Sequence, residues 1–262
     1  MGAPVFLAEP GDLAGQPGVV TIRRARAQGR HAATVRRLRP GEPVRVVDGR
    51  GSGIAGEVAA VTGERVEVHV GRLEFEEPPA VRLVLVQALA KGDRDTRAVE
   101  AAVEVGVDAV VPWQAQRSVS VWDGARRERG QRRWEAVVAS ATKQSRRSWL
   151  PQVRPLVREA DLAQVVAQAV SAGSQAVVLH EEATEPIGSV RLPPAGEVLV
   201  VVGPEGGLTQ GEVAGLREAG ARVVRLGPHV LRTSTAGPVA LAILAERLGR
   251  WAAPGSGARL PV

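Results

Sequence analysis

At 262 residues, 44% of them apolar, the chain is long enough for one large domain or two unequal ones around a real core. It has no cysteine, which excludes a disulfide framework, a thiolate zinc site and a cysteine nucleophile. The net charge of +6 is carried almost wholly by arginine, Lys91 and Lys143 being the only lysines; that balance suits a polyanionic partner, although arginine-, alanine- and glycine-rich chains also occur without one.

Aromatic residues make up 3%, too few for a broad stacking platform, so any contact with RNA falls on phosphates and shape. The start, MGAPVFLAEPGDL, lacks a basic stretch followed by an apolar run. Nowhere do about 18 apolar residues run unbroken, and a cytoplasmic protein without membrane spans is expected.

Between Val44 and Val70 the stretches VRVVDGRG, GIAGEVAAV and RVEVHVG, each closed by glycine or aspartate, predict a small β-rich module. LEFEEPPA, Leu73 to Ala80, is acidic, and its Pro78 and Pro79 remove amide donors and stop a strand. The boundary falls there, giving a module over 1–75, a larger domain over 80–250 and a tail over 251–262. VRLVLVQALA, Val81 to Ala90, reads as a strand buried on both faces. A helix over Arg94 to Val105, the strand DAVVPW, a helix from about Glu128 to Trp149, the strand VRPLV and a helix over Asp161 to Ser171 follow. QAVVLH and EVLVVVG are buried strands, Thr209 to Ala219 a helix, RVVRL a strand and Pro238 to Gly249 a closing helix. Strands alternating with helices predict an α/β fold with a mostly parallel sheet.

Two strand-to-helix loops concentrate the chemistry. EVLVVVGPEGGLTQGEV joins a buried strand to a helix start at which Thr209 and Glu212 have capping-box spacing, and its adjacent glycines let a ligand approach the backbone. It lacks the dinucleotide and P-loop spacings. RVVRLGPHVLRTSTAGPVALAILAERLG repeats the design, with Arg232, Thr233, Ser234 and Thr235 before an apolar helix. Those hydroxyls cap the helix, line a ligand site, or do both. Strand carboxyl ends are where open α/β sheets bind ligands, so the two loops can form one crevice.

GPEGG followed by LGPHVLRTSTA, in this order and near the C-terminus, resembles the RsmE family of SPOUT-class methyltransferases, which methylate N3 of a uridine in 16S ribosomal RNA. HAATVRRLRPGEPVRVVDGRG is similar to the family's N-terminal RNA-binding module. KGDRDTRAVEAAVEVGVDAVVPWQAQRSV and ATKQSRRSWLP match its middle segments. The resemblance implies a SPOUT-type α/β trefoil knot with a PUA-like β-barrel at the N-terminus, a homodimer, S-adenosyl-L-methionine as cofactor, no metal, and 16S ribosomal RNA or the assembled small subunit as partner. It implies cofactor contacts at Leu179, His180, Glu181, Gly203, Pro204, Gly206, Gly207, Leu226, Gly227, Leu231, Thr233 and Ala236.

For catalysis the resemblance points to Arg232 as the positive group beside the developing uracil anion, and to Glu205 as base or as organiser of its loop. A carboxylate at a helix N-terminus is also favoured by the dipole alone. His180, at a strand end, reads as structural rather than catalytic. Arg36, Arg37, Arg117, Arg132, Arg146 and Arg147 are the RNA-binding candidates, the alternative for the helix arginines being a solvated face. Ser234 and Lys143 stand where the family commonly has glutamate, and the family's N-terminal arginine is missing from MGAPVFLAEP. Two other readings stay open: a knotted RNA ribose 2'-O-methyltransferase, and a non-catalytic RNA-binding module.

Overall fold

The computed structural model describes residues 3–8, 13, 18–23, 38–62 and 65–252, the side chains of Ile22 and Arg23 excepted. The chain forms two units, one of residues 1–78 with 139–150, the other of residues 79–138 with 151–262.

The first unit is a five-stranded sheet of β1 (Val5–Leu7), β2 (Val19–Arg23), β3 (Pro43–Val47), β4 (Ser52–Thr62) and β5 (Arg65–Phe75), in the order β1-β3-β4-β5-β2. All its pairings are antiparallel except β1 with β3. Val44, Val46, Ile54, Val58, Val66 and Val68 alternate along the strands and form one buried cluster with Val20 and Leu38. The strands at 5–7 and 19–23 are too short for periodicity to reveal. β5 runs on through Leu73 to Phe75, because the prolines that stop it come only at 78 and 79.

The segment 139–150 is stitched to this sheet by Arg45. Its Nε donates to Glu74 (2.6 Å), its Nη1 to the Arg146 carbonyl (2.8 Å) and its Nη2 to Ser148 Oγ (2.8 Å). Trp149 Nε1 donates to the Glu76 carbonyl at 2.9 Å.

In the second unit β6 (Val81–Ala88), β7 (Ala109–Gln114), β8 (Gln152–Val153), β9 (Val157–Arg158), β10 (Gln175–Leu179), β11 (Glu185–Pro186), β12 (Gly196–Val202) and β13 (Arg222–Arg225) form a sheet of order β11-β13-β10-β12-β6-β7-β8, with β9 also on β7. Every pairing is parallel. α1 (Arg94–Val105), α2 (Gly124–Gln144), α3 (Glu159–Ser171), α4 (Gln210–Glu218) and α5 (Thr233–Arg247) connect them. α3 and α4 cover one face through Leu162, Val166 and Leu216 against Val84, Val86, Val178 and Val201. Each such side chain contributes about 1.5–3 kcal/mol of hydrophobic stabilisation. α5 packs on α1, β6 and β12.

The order of strands makes the last helix cross. The chain leaves β13, which lies beyond β10, yet α5 packs on β12 and β6. To reach them it passes the carboxyl ends of β10 and β12, where Thr233 Oγ1 donates to the Gly203 carbonyl in the loop after β12 (2.7 Å). This threading of the last helix past an earlier loop is the knot that the resemblance implies and that periodicity cannot predict.

Three expected elements differ. α2 spans 124–144 rather than 128–149, because the Arg146 N–H bonds to the Lys143 carbonyl and the Arg147 N–H to the Thr142 carbonyl, ending the helix with Arg146 at φ 59°. VRPLV is not one strand but the two-residue β8 and β9, interrupted around Pro155. α5 begins at Thr233, five residues before Pro238, which lies inside the helix.

Candidate functional site

The carboxyl ends of β10, β12 and β13 lie side by side, and a cavity of about 540 Å³ opens there. That volume lies within the roughly 300–1,000 Å³ typical of small-molecule sites. Every cofactor and catalytic candidate lines it: Leu179, His180 and Glu181 after β10; Gly203 to Gly207 after β12; Leu226, Gly227, Leu231, Arg232, Thr233 and Ala236 after β13. Among the described residues no cluster of three or more metal-ligating side chains occurs, and no helix is long and apolar enough to cross a membrane.

The first loop, 203–209, is tied from two neighbouring strand ends. Glu205 Oε1 accepts from Arg94 Nη1 (2.6 Å) and from the Lys91 N–H (3.1 Å), both beyond β6. Burial pushes the Glu205 carboxyl up, but the hydrogen bonds from Arg94, from its own backbone N–H and from Lys91 outweigh it and hold the group below the ordinary glutamate range. Beyond β7, Arg117 Nη1 donates to the Gly206 carbonyl (2.9 Å), so part of its guanidinium clamps the loop. Thr209 and Glu212 form the expected capping box on α4, and the second Glu212 oxygen accepts the Gln116 N–H (2.9 Å). Gly207 adopts φ 69°, which glycine reaches without strain.

The second loop is different. Among the described residues, nothing from Leu226 to Leu231 has a hydrogen bond, and Val230 is 77% exposed. Arg232, the N-cap residue of α5, is exposed and lines the cavity; its carbonyl accepts the Thr235 and Ala236 N–H groups, but its guanidinium has no hydrogen bond or ion pair among the described residues. A Cβ added at Gly227 would meet nothing within 4 Å, so the backbone there borders open space. Thr233 is buried and spends its hydroxyl on Gly203 rather than leaving it free for a ligand. His180 Nδ1 accepts the Glu182 N–H (3.2 Å), which ties the turn after β10 and fits the structural reading.

Arg94, Arg225 and His229 also line the cavity and went unnoticed in the sequence. The signal available was KGDR at the end of a doubly buried strand, the same position rule that singled out the two loops. Of the RNA-binding candidates, Arg132 is exposed on α2, 3.5 Å from Glu128, and Arg146 is exposed at the helix end. Arg147 is half-buried beside it, and Arg36 and Arg37 lie outside the described residues.

A family model described as an RNA methyltransferase domain matches residues 76–245, and one described as an RNA methyltransferase PUA domain matches residues 25–71. The chain is 48% identical, over 87% of each sequence, to the ribosomal RNA small subunit methyltransferase E of Mycobacterium bovis. It is 30% identical to the Bacillus subtilis protein of that name, over 82% of this chain and 85% of the other. The crystal structure of ribosomal RNA small subunit methyltransferase E from Neisseria gonorrhoeae bound to S-adenosyl methionine matches with a TM-score of 0.79 at 26% identity, covering 94% of this chain and 98% of that one.

Proposed function

Because the chain belongs to the ribosomal RNA small subunit methyltransferase E family, we propose that it methylates N3 of a uridine in 16S ribosomal RNA, using S-adenosyl-L-methionine held in the cavity at the ends of β10, β12 and β13. One observation carries the reading: two glycine-bearing strand-end loops line a single cavity, with the unpaired Arg232 on it. The open backbone at Gly227, the volume, and the strand-end position of Leu179, Gly203 and Leu226 fit a bent nucleoside with an amino-acid arm. The cofactor supplies a methyl group activated by its sulfonium.

The protein's part is positioning and charge. N3 of uracil gives up its proton to solvent and then takes the methyl group, so negative charge develops on the ring ahead of transfer. Arg232, with no carboxylate partner among the described residues, stabilises that charge. Glu205, kept ionised by Arg94 and Lys91, is a weakened proton acceptor, which favours its role as tie of the first loop over that of base. Loop ties at Arg117 and Glu212 hold the cavity wall in place.

Residues 1–75 serve as the RNA-binding module and 80–250 as the catalytic domain, with 251–262 as a tail. Arg36, Arg37, Arg117, Arg132, Arg146 and Arg147 contact RNA phosphates. The homodimer is carried over from the family resemblance. The substrate is the small ribosomal subunit or its RNA, in the cytoplasm. Incubation with 16S ribosomal RNA and S-adenosylmethionine, followed by nucleoside mass spectrometry, should yield 3-methyluridine. A product of 2'-O-methyluridine would assign the ribose reading instead, and no methylated nucleoside would favour the binding module.

A further inference from the structure

The amide of Gln87 has no place in the mechanism above, yet it joins the two loops of the cavity. Gln87 lies on β6 at 0% exposure, between Val86 and Ala88 in a strand otherwise apolar from Leu83 onward. Its Nε2 donates to Thr233 Oγ1 at 2.9 Å and to its neighbour's carbonyl, Ala88 O, at 3.2 Å, while its Oε1 has no partner. An amide nitrogen can only donate, so it occupies a lone pair of the Thr233 hydroxyl and leaves that hydroxyl's single hydrogen to point elsewhere. It points to the Gly203 carbonyl, 2.7 Å away.

The relay runs Gln87 to Thr233 to Gly203, and Gly203 and Thr233 both line the cavity. Three chain segments meet in it: β6, the start of α5 and the first residue after β12. A buried amide oxygen without a partner is destabilising, and methionine or leucine would fill the space without that cost. Stability of the sheet therefore does not explain the amide. Its contact with the loops does.

We infer that Gln87 is a positioning residue for the cofactor site, orienting the Thr233 hydroxyl so that Gly203 and the start of α5 are held together as one cavity wall. The inference rests on the reading of this cavity as the S-adenosylmethionine site. Its test compares the parent protein with Gln87→Met, Thr233→Val and the double variant, by calorimetry with S-adenosylmethionine, by cofactor KM and kcat, and by thermal unfolding.

Gln87→Met should bind the cofactor about tenfold more weakly or worse, with KM raised, kcat at saturating cofactor little changed, and a melting temperature at or above the parent's. Thr233→Val should show a similar loss. The double variant should lose no more than either single variant, since both break one relay. Affinity of Gln87→Met within about twofold of the parent, losses that multiply in the double variant, or affinity falling in step with melting temperature would each overturn the inference. A parent protein that binds no S-adenosylmethionine overturns the cofactor reading itself, and is seen before any variant is made.

Discussion

Replacing Glu205 by glutamine separates tying the first loop from accepting a proton. Glu205 Oε1 accepts from Arg94 Nη1 at 2.6 Å and from the Lys91 N–H at 3.1 Å, and glutamine retains a carbonyl oxygen able to serve both donors. What disappears is the charge. The Arg94 and Glu205 side chains are 43% and 26% exposed, so solvent screens the pair. Its charge is then worth roughly 0.5–1 kcal/mol, a factor of about two to five at about 1.4 kcal/mol per tenfold. A general base in that position would contribute about 10²–10⁴-fold. In a methyl-transfer assay on 16S ribosomal RNA, Glu205→Gln is expected to keep kcat/KM within about fivefold of the parent. A fall in kcat of about a hundredfold or more with cofactor affinity intact would refute the tie and make the carboxylate the base.

Arg232→Gln should lower kcat by about 10²–10³ with little change in cofactor affinity, because it removes charge stabilisation from the reacting ring, and an unchanged kcat would remove Arg232 from the mechanism. Arg146→Gly should raise stability by about 1 kcal/mol in urea denaturation, since glycine adopts the left-handed conformation at φ 59° without the penalty arginine bears. Destabilisation would show that the arginine side chain holds the helix end. Glu205 and Glu74 both lie below the ordinary glutamate range, Glu74 through its hydrogen bond from Arg45, against burial, and through Arg72. Such groups stabilise the fold fully above their unfolded value, about 4.3, and lose that contribution as pH falls through the lower folded value. Urea midpoints measured downward from neutrality should therefore fall only in the acid range, and less steeply in Glu74→Gln.

What the sequence disclosed follows from locality. Apolar stretches closed by glycine or aspartate exposed β3, β4 and β5, doubly buried runs exposed β6, β10 and β12, and the Thr209–Glu212 capping box marked the N-cap of α4. The rule that ligands bind at strand carboxyl ends brought the two loops to one site. The knot was legible only by resemblance, because threading depends on which strands pair and not on any local pattern.

Pro238 misled for a physical reason. Proline favours the first position of a helix, but here it sits in the sixth, where its missing N–H forgoes one bond and α5 continues. The end of α2 was hidden because arginine, not glycine, occupies the left-handed position after it. Gln87 read as one more residue of a buried strand, and its role emerges only when Thr233, 146 residues later, is placed beside it. The assignment of 139–150 to the first unit depends likewise on Arg45, about a hundred residues earlier.

Every functional assignment above depends on the cavity between the two loops holding the cofactor. Calorimetry with S-adenosylmethionine on the parent protein and on Gly206→Arg tests it most directly, because Gly206 lines the cavity and an added Cβ there already comes within 3.2 Å of Arg117 Cβ. Saturable binding by the parent is expected, with its loss in the variant while the fold stays intact by circular dichroism. Equal binding by both proteins would contradict it.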